Sequence, residues 1–331
     1  MAHEITQNAI TGLFEFAYNE AHGPGWHGEG QMVKLADTQD LSKWIEQSGM
    51  QWEAKRQRVR YQVGQTTHAF EGAHILLRSD THEPLSIVGP GYKIVQPKEV
   101  VLFFKGLLGL AGLEMSACGT LFGGREFWCT AKFKEGHPLS RADMVTGYVL
   151  VHTSLDGSFA TTVRMVLERA VCKNTVRMAF SEAQRKGSVY KITHRSEFDA
   201  DEARAFLGLG DDAWNNAKSA MLKLANKKIT KQDAEDLSAR LFGATDAAKL
   251  EKVVQSAGFN KVLALFNGAG MGSDMDGVKD TANGWLQAVT EYADHHIRAR
   301  SDANRWSSAQ FGAGADLKDK AVDLAMAIAT A

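Results

Sequence analysis

The hydrophobic period of this chain is mainly that of strands in its first part and that of helices in its last, and that change limits what it can fold into. In several segments between about residue 56 and about residue 167, apolar side chains recur at every second position, the period of a strand. Beyond about residue 198 they recur at every third or fourth position, the period of a helix. Strands early and helices late specify an α+β chain: an antiparallel sheet crossed by a helix, followed by a mainly helical C-terminal region. The expected division is an α+β core over residues 1–198 and a helical region over residues 199–331, with a soft boundary.

The first expected strand runs from Arg56 to Val63. Val59, Tyr61 and Val63 alternate with Arg58, Arg60 and Gln62, as in a half-buried strand whose apolar face is covered. Further strands are expected at Ala73 to Arg78, Leu85 to Val88 and Tyr92 to Val95, the last two joined by Gly89-Pro90-Gly91. Alternation returns from Glu126 to Lys134, where Phe127, Cys129, Ala131 and Phe133 face inward and Lys132 and Lys134 outward. Two more strands, about Gly147 to Ser154 and Ser158 to Leu167, flank the turn dipeptide Asp156-Gly157.

Helices are expected around Leu41, Trp44 and Ile45, from about Pro97 to Leu110, and from Cys172 to Lys186, where Gly187 sits at a helix-ending position. In the C-terminal region they fall near Asp199–Leu207, Asp212–Asn226, Lys231–Leu241, Ala247–Ala257, Asp280–Arg300 and Leu317–Thr330. Thr230 and Asp233 have the spacing of a capping pair.

Charge is segregated. The stretch from Thr161 to Arg195 holds eight basic residues against two acidic ones, in a chain whose total is −1. Arg169, Lys173 and Arg177, spaced by four, would form a row on one helical face, with Asn174 beside it. Arg56, Arg58 and Arg60 would stand roughly 7 Å apart along one strand face, a row that a phosphate backbone could track. Lys132 and Lys134 repeat that arrangement, and Arg164 lies close in sequence to the first row. Solvated faces are the bland explanation of any one such row.

Three cysteines without regular spacing make a disulfide framework or a zinc ribbon unexpected. With no basic and apolar leader at the start, they point to a reducing cytoplasm rather than secretion. The apolar window from Val100 to Leu113 is too short for a bilayer span and is broken by Lys105, so no membrane association is expected.

Enzyme signatures are weak. His22, His27 and Glu29 offer donors within one loop, yet no second ligand pair supports a metal site. Gly268-Ala-Gly270-Met-Gly272 fits neither phosphate-loop spacing and reads as a helix connection. Asp274 and Asp276 lack the further ligands of a calcium loop, and no nucleophile elbow or paired-carboxylate pattern stands out. A binding protein without cofactor therefore ranks above an enzyme.

Asp156-Gly-Ser158 followed by Arg169-Ala-Val-Cys172-Lys-Asn174-Thr175 resembles the domain-of-unknown-function family 932, also described as phage/plasmid-like proteins. Pro24-Gly-Trp26-His27-Gly28, Val88-Gly-Pro-Gly-Tyr92, Thr281-Ala-Asn-Gly-Trp285, Glu291-Tyr-Ala-Asp294-His295 and the ending from Arg305 to Lys318 extend the likeness over most of the chain. The resemblance implies mobile elements, among replication and recombination genes, and gives Arg169, Cys172, Asn174 and Thr175 no known role. The order of elements is also similar, by fold-level analogy, to the Rad fifty-two-type single-strand annealing superfamily, whose members assemble into rings or filaments.

The expected function is single-stranded DNA binding and strand annealing by a homo-oligomer, a ring or filament. Arg169, Lys173, Arg177 and Asn174 lead as phosphate contacts, and Arg56, Arg58, Arg60, Lys132, Lys134 and Arg164 form a second set. Phe159, Trp128 or Tyr61 could stack on bases if exposed, although Tyr61 reads as core. The alternatives are a metal- or nucleotide-using enzyme and a factor that binds host proteins in defence or counter-defence.

Overall fold

In a computed structural model, the structure describes residues 5–23, 30–108, 112–133, 136–140, 143–169, 175–177, 189–207 and 211–331. Its first half contains β1 (Phe16–Asn19), β2 (Gln31–Val33), α1 (Leu41–Gln47), β3 (Ala54–Val63), β4 (Thr66–Arg78), β5 (Pro84–Val88) and α2 (Pro97–Leu102). Next come β6 (Leu113–Leu121), β7 (Glu126–Phe133), β8 (His137–Ser140), β9 (Asp143–Ser154), β10 (Thr161–Arg169), β11 (Thr175–Arg177) and β12 (Val189–Ile192). The helices α3 (Ala200–Leu207), α4 (Asp211–Asn226), α5 (Lys231–Leu241) and α6 (Ala247–Val254) follow. Then come α7 (Ala257–Ala264), α8 (Ala282–Glu291), α9 (Asp302–Phe311) and α10 (Ala313–Thr330). The α+β class is as the periodicity specifies. No helix among the described residues is long and apolar enough to cross a membrane.

The chain forms two compact units that interleave in sequence. One comprises residues 1–134, 149–164 and 189–209, the other residues 135–148, 165–188 and 210–331.

In the first unit, strands run in the order β2-β1-β6-β7-β9-β10, with β12 antiparallel to β10. The β1–β2 pair is parallel, while β1–β6 and β6–β7 are antiparallel. α1 packs on β1 and β2, and α2 packs on β7. Trp44 of α1 is fully buried and donates its indole N–H to the Thr38 carbonyl at 3.0 Å, so the ring enters the core without an orphaned donor. A second sheet, β3-β4-β5, is antiparallel throughout.

In the second unit, β8 pairs with the start of β9, and β11 pairs with the end of β10. Every residue of α8 is buried, and α4, α7 and α10 pack around it. Trp285 donates to Ser238 Oγ at 2.9 Å, and Lys318 meets Asp294 at 2.6 Å with both side chains inside the protein. Thr230 and Asp233 form the reciprocal cap at the start of α5.

Several local expectations are corrected. Tyr92 to Val95 is not a strand: the Lys93 N–H goes to the His194 carbonyl, and the Tyr92 ring stacks on His194 at 4.5 Å instead of joining a ladder. α2 stops at Leu102, and the following turns, with Gly106 at φ 81°, place Phe103 and Phe104 in the core. Asp156-Gly157 belongs to a longer connection between β9 and β10, in which Asp156 accepts from the Ser158 N–H. Glu126 and Trp128 are buried, so the start of β7 is covered on both faces.

The helix expected from Cys172 to Lys186 is a strand over Thr175–Arg177, which pairs with β10, Val166 opposite Arg177. Arg169 and Arg177 thus belong to adjacent strands, and a row at helical spacing does not form. The rest of that expected helix, with Lys173 and Asn174, lies outside the described residues.

Candidate nucleic-acid interface

The second sheet of the first unit narrows to a two-stranded ribbon. β5 accompanies β4 only as far as the pair His74–Val88, whereas β3 and β4 continue together to Val63–Thr66. Gly64 has φ 60°, so glycine stands at the left-handed first position of a two-residue hairpin link. Between the pairs Arg58–His74 and Val59–Phe70 the β4 strand carries three extra residues. Such a bulge raises local twist and redirects the strands beyond it.

Cross-strand partners share a face, so the register assigns the two sides of the ribbon. One side carries Arg56, Arg58, Arg60 and Gln62. The other carries Val59, Tyr61 and Val63 with Phe70 and His68 opposite them. The half-buried strand expected here is corrected: among the described residues no layer covers the apolar side, and Tyr61, Val63 and Phe70 are 51%, 61% and 51% exposed. Tyr61 is therefore not a core residue. Its ring stacks on His68, centroids 5.3 Å apart and planes 22° from parallel. At the foot of the ribbon the same side continues through Ile75 to its partner Ile87, 69% exposed. Exposed apolar side chains along one side of a ribbon are surface of the kind that interaction sites present.

The charge of the ribbon is one-sided. Lys55, Arg56, Arg58 and Arg60 face only Glu71 as a carboxylate between Lys55 and His74. The Arg56 guanidinium donates to the Tyr92 carbonyl. Arg58 and Arg60 are exposed and make no ion pair among the described residues. Two solvated guanidiniums on one side and exposed rings on the other offer donors for phosphates and a stacking surface for bases.

The remaining expected contacts are distributed elsewhere. Lys132 lies on β7 opposite Glu114, whose carboxylate also meets His22 at 3.0 Å, so its surroundings are already partly neutralised. Lys134 lies outside the described residues. Arg164 is 1% exposed, because its β10 position faces into the core, and it is thereby removed from any outer surface. Of the other aromatic candidates, Trp128 is buried and Phe159 stacks on His152 at 4.2 Å.

His152 is wholly buried, with Nε2 3.5 Å from Glu126. Burial, and then the positive charge of Arg164, push its pKa well below the ordinary histidine value. The unfolded chain takes up this proton as pH falls past about 6.5 while the folded chain does not, so stability is complete above that value and falls below it. Thermal midpoints measured from pH 8 to pH 5 are expected to decline below about 6.5. His152→Asn should flatten that decline, whatever its effect at pH 8. An unchanged slope would assign the acid sensitivity to other groups.

The other candidate sites are less favourable. His27 and Glu29 lie outside the described residues, and among those described no group of three or more His, Cys, Asp or Glu side chains could hold a metal ion. At the glycine-rich connection, Glu291 accepts the Met271 N–H at 2.9 Å. A carboxylate thus occupies a donor that a phosphate cradle would need.

Val63-Gly64-Gln65-Thr66 carries a sequence signal for the ribbon, since period-two residues flank a glycine-led link on both sides. What periodicity lacks is any sign of whether a second layer covers the apolar face.

No curated protein and no solved structure matches the chain. The model of one family, the domain of unknown function DUF932, matches residues 84–310. The matched stretch starts at β5, after the ribbon. It includes β6 to β10 and the buried helix α8, about two thirds of the sequence, with about half of the first unit and most of the second, and on that extent the chain belongs to the DUF932 family.

Proposed function

We propose that the chain is a single-stranded DNA-binding and strand-annealing protein of a phage, plasmid or other mobile element. It acts in recombination or replication as a homo-oligomer, without a nucleotide cofactor. The observation that carries this reading is the β3–β4 ribbon, which exposes the Arg58 and Arg60 side and the Tyr61, His68 and Phe70 side together. Arginines hold phosphates without reading sequence, and ring stacking accepts any base through its π-face. Stacked bases keep their pairing edges free, which is what annealing to a second strand requires.

Fluorescence anisotropy with labelled oligo-dT should show binding that weakens steeply with salt, each phosphate contact adding about 0.7 to the slope of log K against log salt. The two solvated arginines set the expected slope near −1.4. Complementary oligonucleotides should pair faster with the protein than without it. Binding that is unmeasurable at low salt, or indifferent to salt, sinks the reading.

A further inference from the structure

The second unit gathers a basic cluster from two separate segments. From Ala213 to Gln232 the chain has five lysines and no Asp or Glu. The Lys227 N–H adds a turn to α4 by donating to the Lys223 carbonyl at 3.1 Å, so these two side chains stand on one helical face. Lys228 then forms an antiparallel bridge with Thr281. The bridge is flanked by bonds from the Ile229 N–H to the Asp280 carbonyl at 3.1 Å and from the Ala282 N–H to the Lys227 carbonyl at 2.9 Å. It brings in Lys279, whose carbonyl accepts from the Lys228 ammonium at 2.9 Å.

Lys223, Lys227, Lys228 and Lys279 make no ion pair among the described residues, and all but Lys227 are exposed. Asp233 is engaged by Thr230, whose N–H and hydroxyl donate to it at 2.7 and 2.8 Å. The bridged segments 227–229 and 279–281 contain one acid, Asp280. A structural role accounts for half of the cluster, since Lys223 and Lys227 complement the negative end of the α4 dipole. Lys228 and Lys279 do the opposite. They stand just ahead of the N-caps Thr230 and Thr281, where the positive ends of α5 and α8 disfavour a cation. Four ammonium groups and two positive helix ends thus meet at one bridge, which is unfavourable for the fold alone and favourable for a bound polyanion.

We infer that this junction binds duplex DNA, the product of annealing, by its phosphates. No aromatic residue lies in 223–231 or 277–281, so attraction there depends on charge density alone. Duplex DNA carries one charge per about 1.7 Å of its axis, against about 3.4 Å for one of its strands. The ribbon, with its exposed rings, suits unstacked bases; the junction requires none. Substrate strand and product are then held by different surfaces. The inference rests on the annealing reading and gives its product a site.

The test is fluorescence anisotropy of the full chain with a short labelled duplex and, separately, with labelled oligo-dT. Lys228→Gln combined with Lys279→Gln should lower the salt slope of duplex binding by about 1.8, the share of two contacts, a loss of roughly 60-fold at about 0.1 M salt. Oligo-dT binding should change less than about threefold, and arginine at both positions should retain duplex affinity. The thermal midpoint of the glutamine variant should not fall, because the change relieves repulsion at two helix ends. Wild type that binds oligo-dT but not duplex, or a glutamine variant that binds duplex as wild type does, overturns the junction site and leaves the ribbon reading standing. Duplex binding without oligo-dT binding supports the junction and overturns the ribbon reading. Vesicles rich in phosphatidylserine are the third arm: if the glutamine variant loses vesicle binding while duplex binding is unchanged, the junction serves a membrane surface and the inference fails.

Discussion

Arg58→Ala combined with Arg60→Ala is expected to lower the salt slope of oligo-dT binding by about 1.4, the share of two single-strand phosphate contacts. At about 0.1 M salt that corresponds to a loss of affinity of roughly 25-fold. Adding Tyr61→Ala should remove a further 1–3 kcal/mol or so, the usual worth of one base stacked on an aromatic ring. The two effects are separable. The arginine pair changes the salt dependence, while Tyr61→Ala weakens binding at every salt concentration and leaves the slope alone, and Tyr61→Phe should restore most of what alanine loses. All three positions are exposed, and Arg58 and Arg60 have no ion pair among the described residues, so the thermal midpoint should hardly move. If the triple variant binds within twofold of wild type, the ribbon is not the nucleic-acid surface.

Sequence periodicity reached the helical half of this molecule more fully than the strands. α4, α5 and α10 lie close to their expected positions, and the cap at Thr230 and Asp233 forms, because helix boundaries depend on contacts within a few residues. α9 and the strands β1, β2 and β6 carry no comparably regular pattern that would predict them. The strand at Val59, Tyr61 and Val63 is legible in position but not in environment. Alternation shows that a strand has two faces, whereas covering one of them depends on a layer that is remote in sequence. The same limit applies to Arg164, whose charge suggested a surface and whose position on β10 buries it. Arg169, Lys173 and Arg177 illustrate a different failure. Spacing by four signifies a common face only where the backbone is helical, and Arg169 and Arg177 stand on strands.

The foot of the ribbon depends on an ion network that sequence could not reveal, since its members are up to 105 positions apart. Arg78, the last residue of β4, is 1% exposed and forks onto two carboxylates. Its Nη atoms donate to Glu15 at 2.5 and 3.1 Å, and Nε and Nη2 donate to Asp80 at 3.0 and 2.8 Å. Thr120 completes the Glu15 shell at 2.5 Å, and the guanidinium lies 4.3 Å from the centre of the Trp52 ring. Burial alone would lower the Arg78 pKa, but the Asp80 and Glu15 carboxylates outweigh it and hold the cation charged. Removing one member leaves buried charge unpaired, which costs about 3–5 kcal/mol. Arg78→Ala should therefore lower the unfolding free energy measured by urea denaturation by that amount. Arg78→Lys should recover only a fraction, because an ammonium cannot fork onto both carboxylates. The loss should persist at pH 5, separating it from the histidine effect. Burial raises the Asp80 pKa, yet Arg78 reverses this and leaves it below the ordinary aspartate value, so that contribution fades only under acid conditions beyond the histidine range. A loss under about 1 kcal/mol would mean that water screens the network as it does a surface pair, and the ribbon would then need another anchor. If the full loss is seen, variants at Arg78 should impair DNA binding only through unfolding, in proportion to the fraction of chain unfolded, whereas Arg58 and Arg60 should impair it in a chain that remains folded.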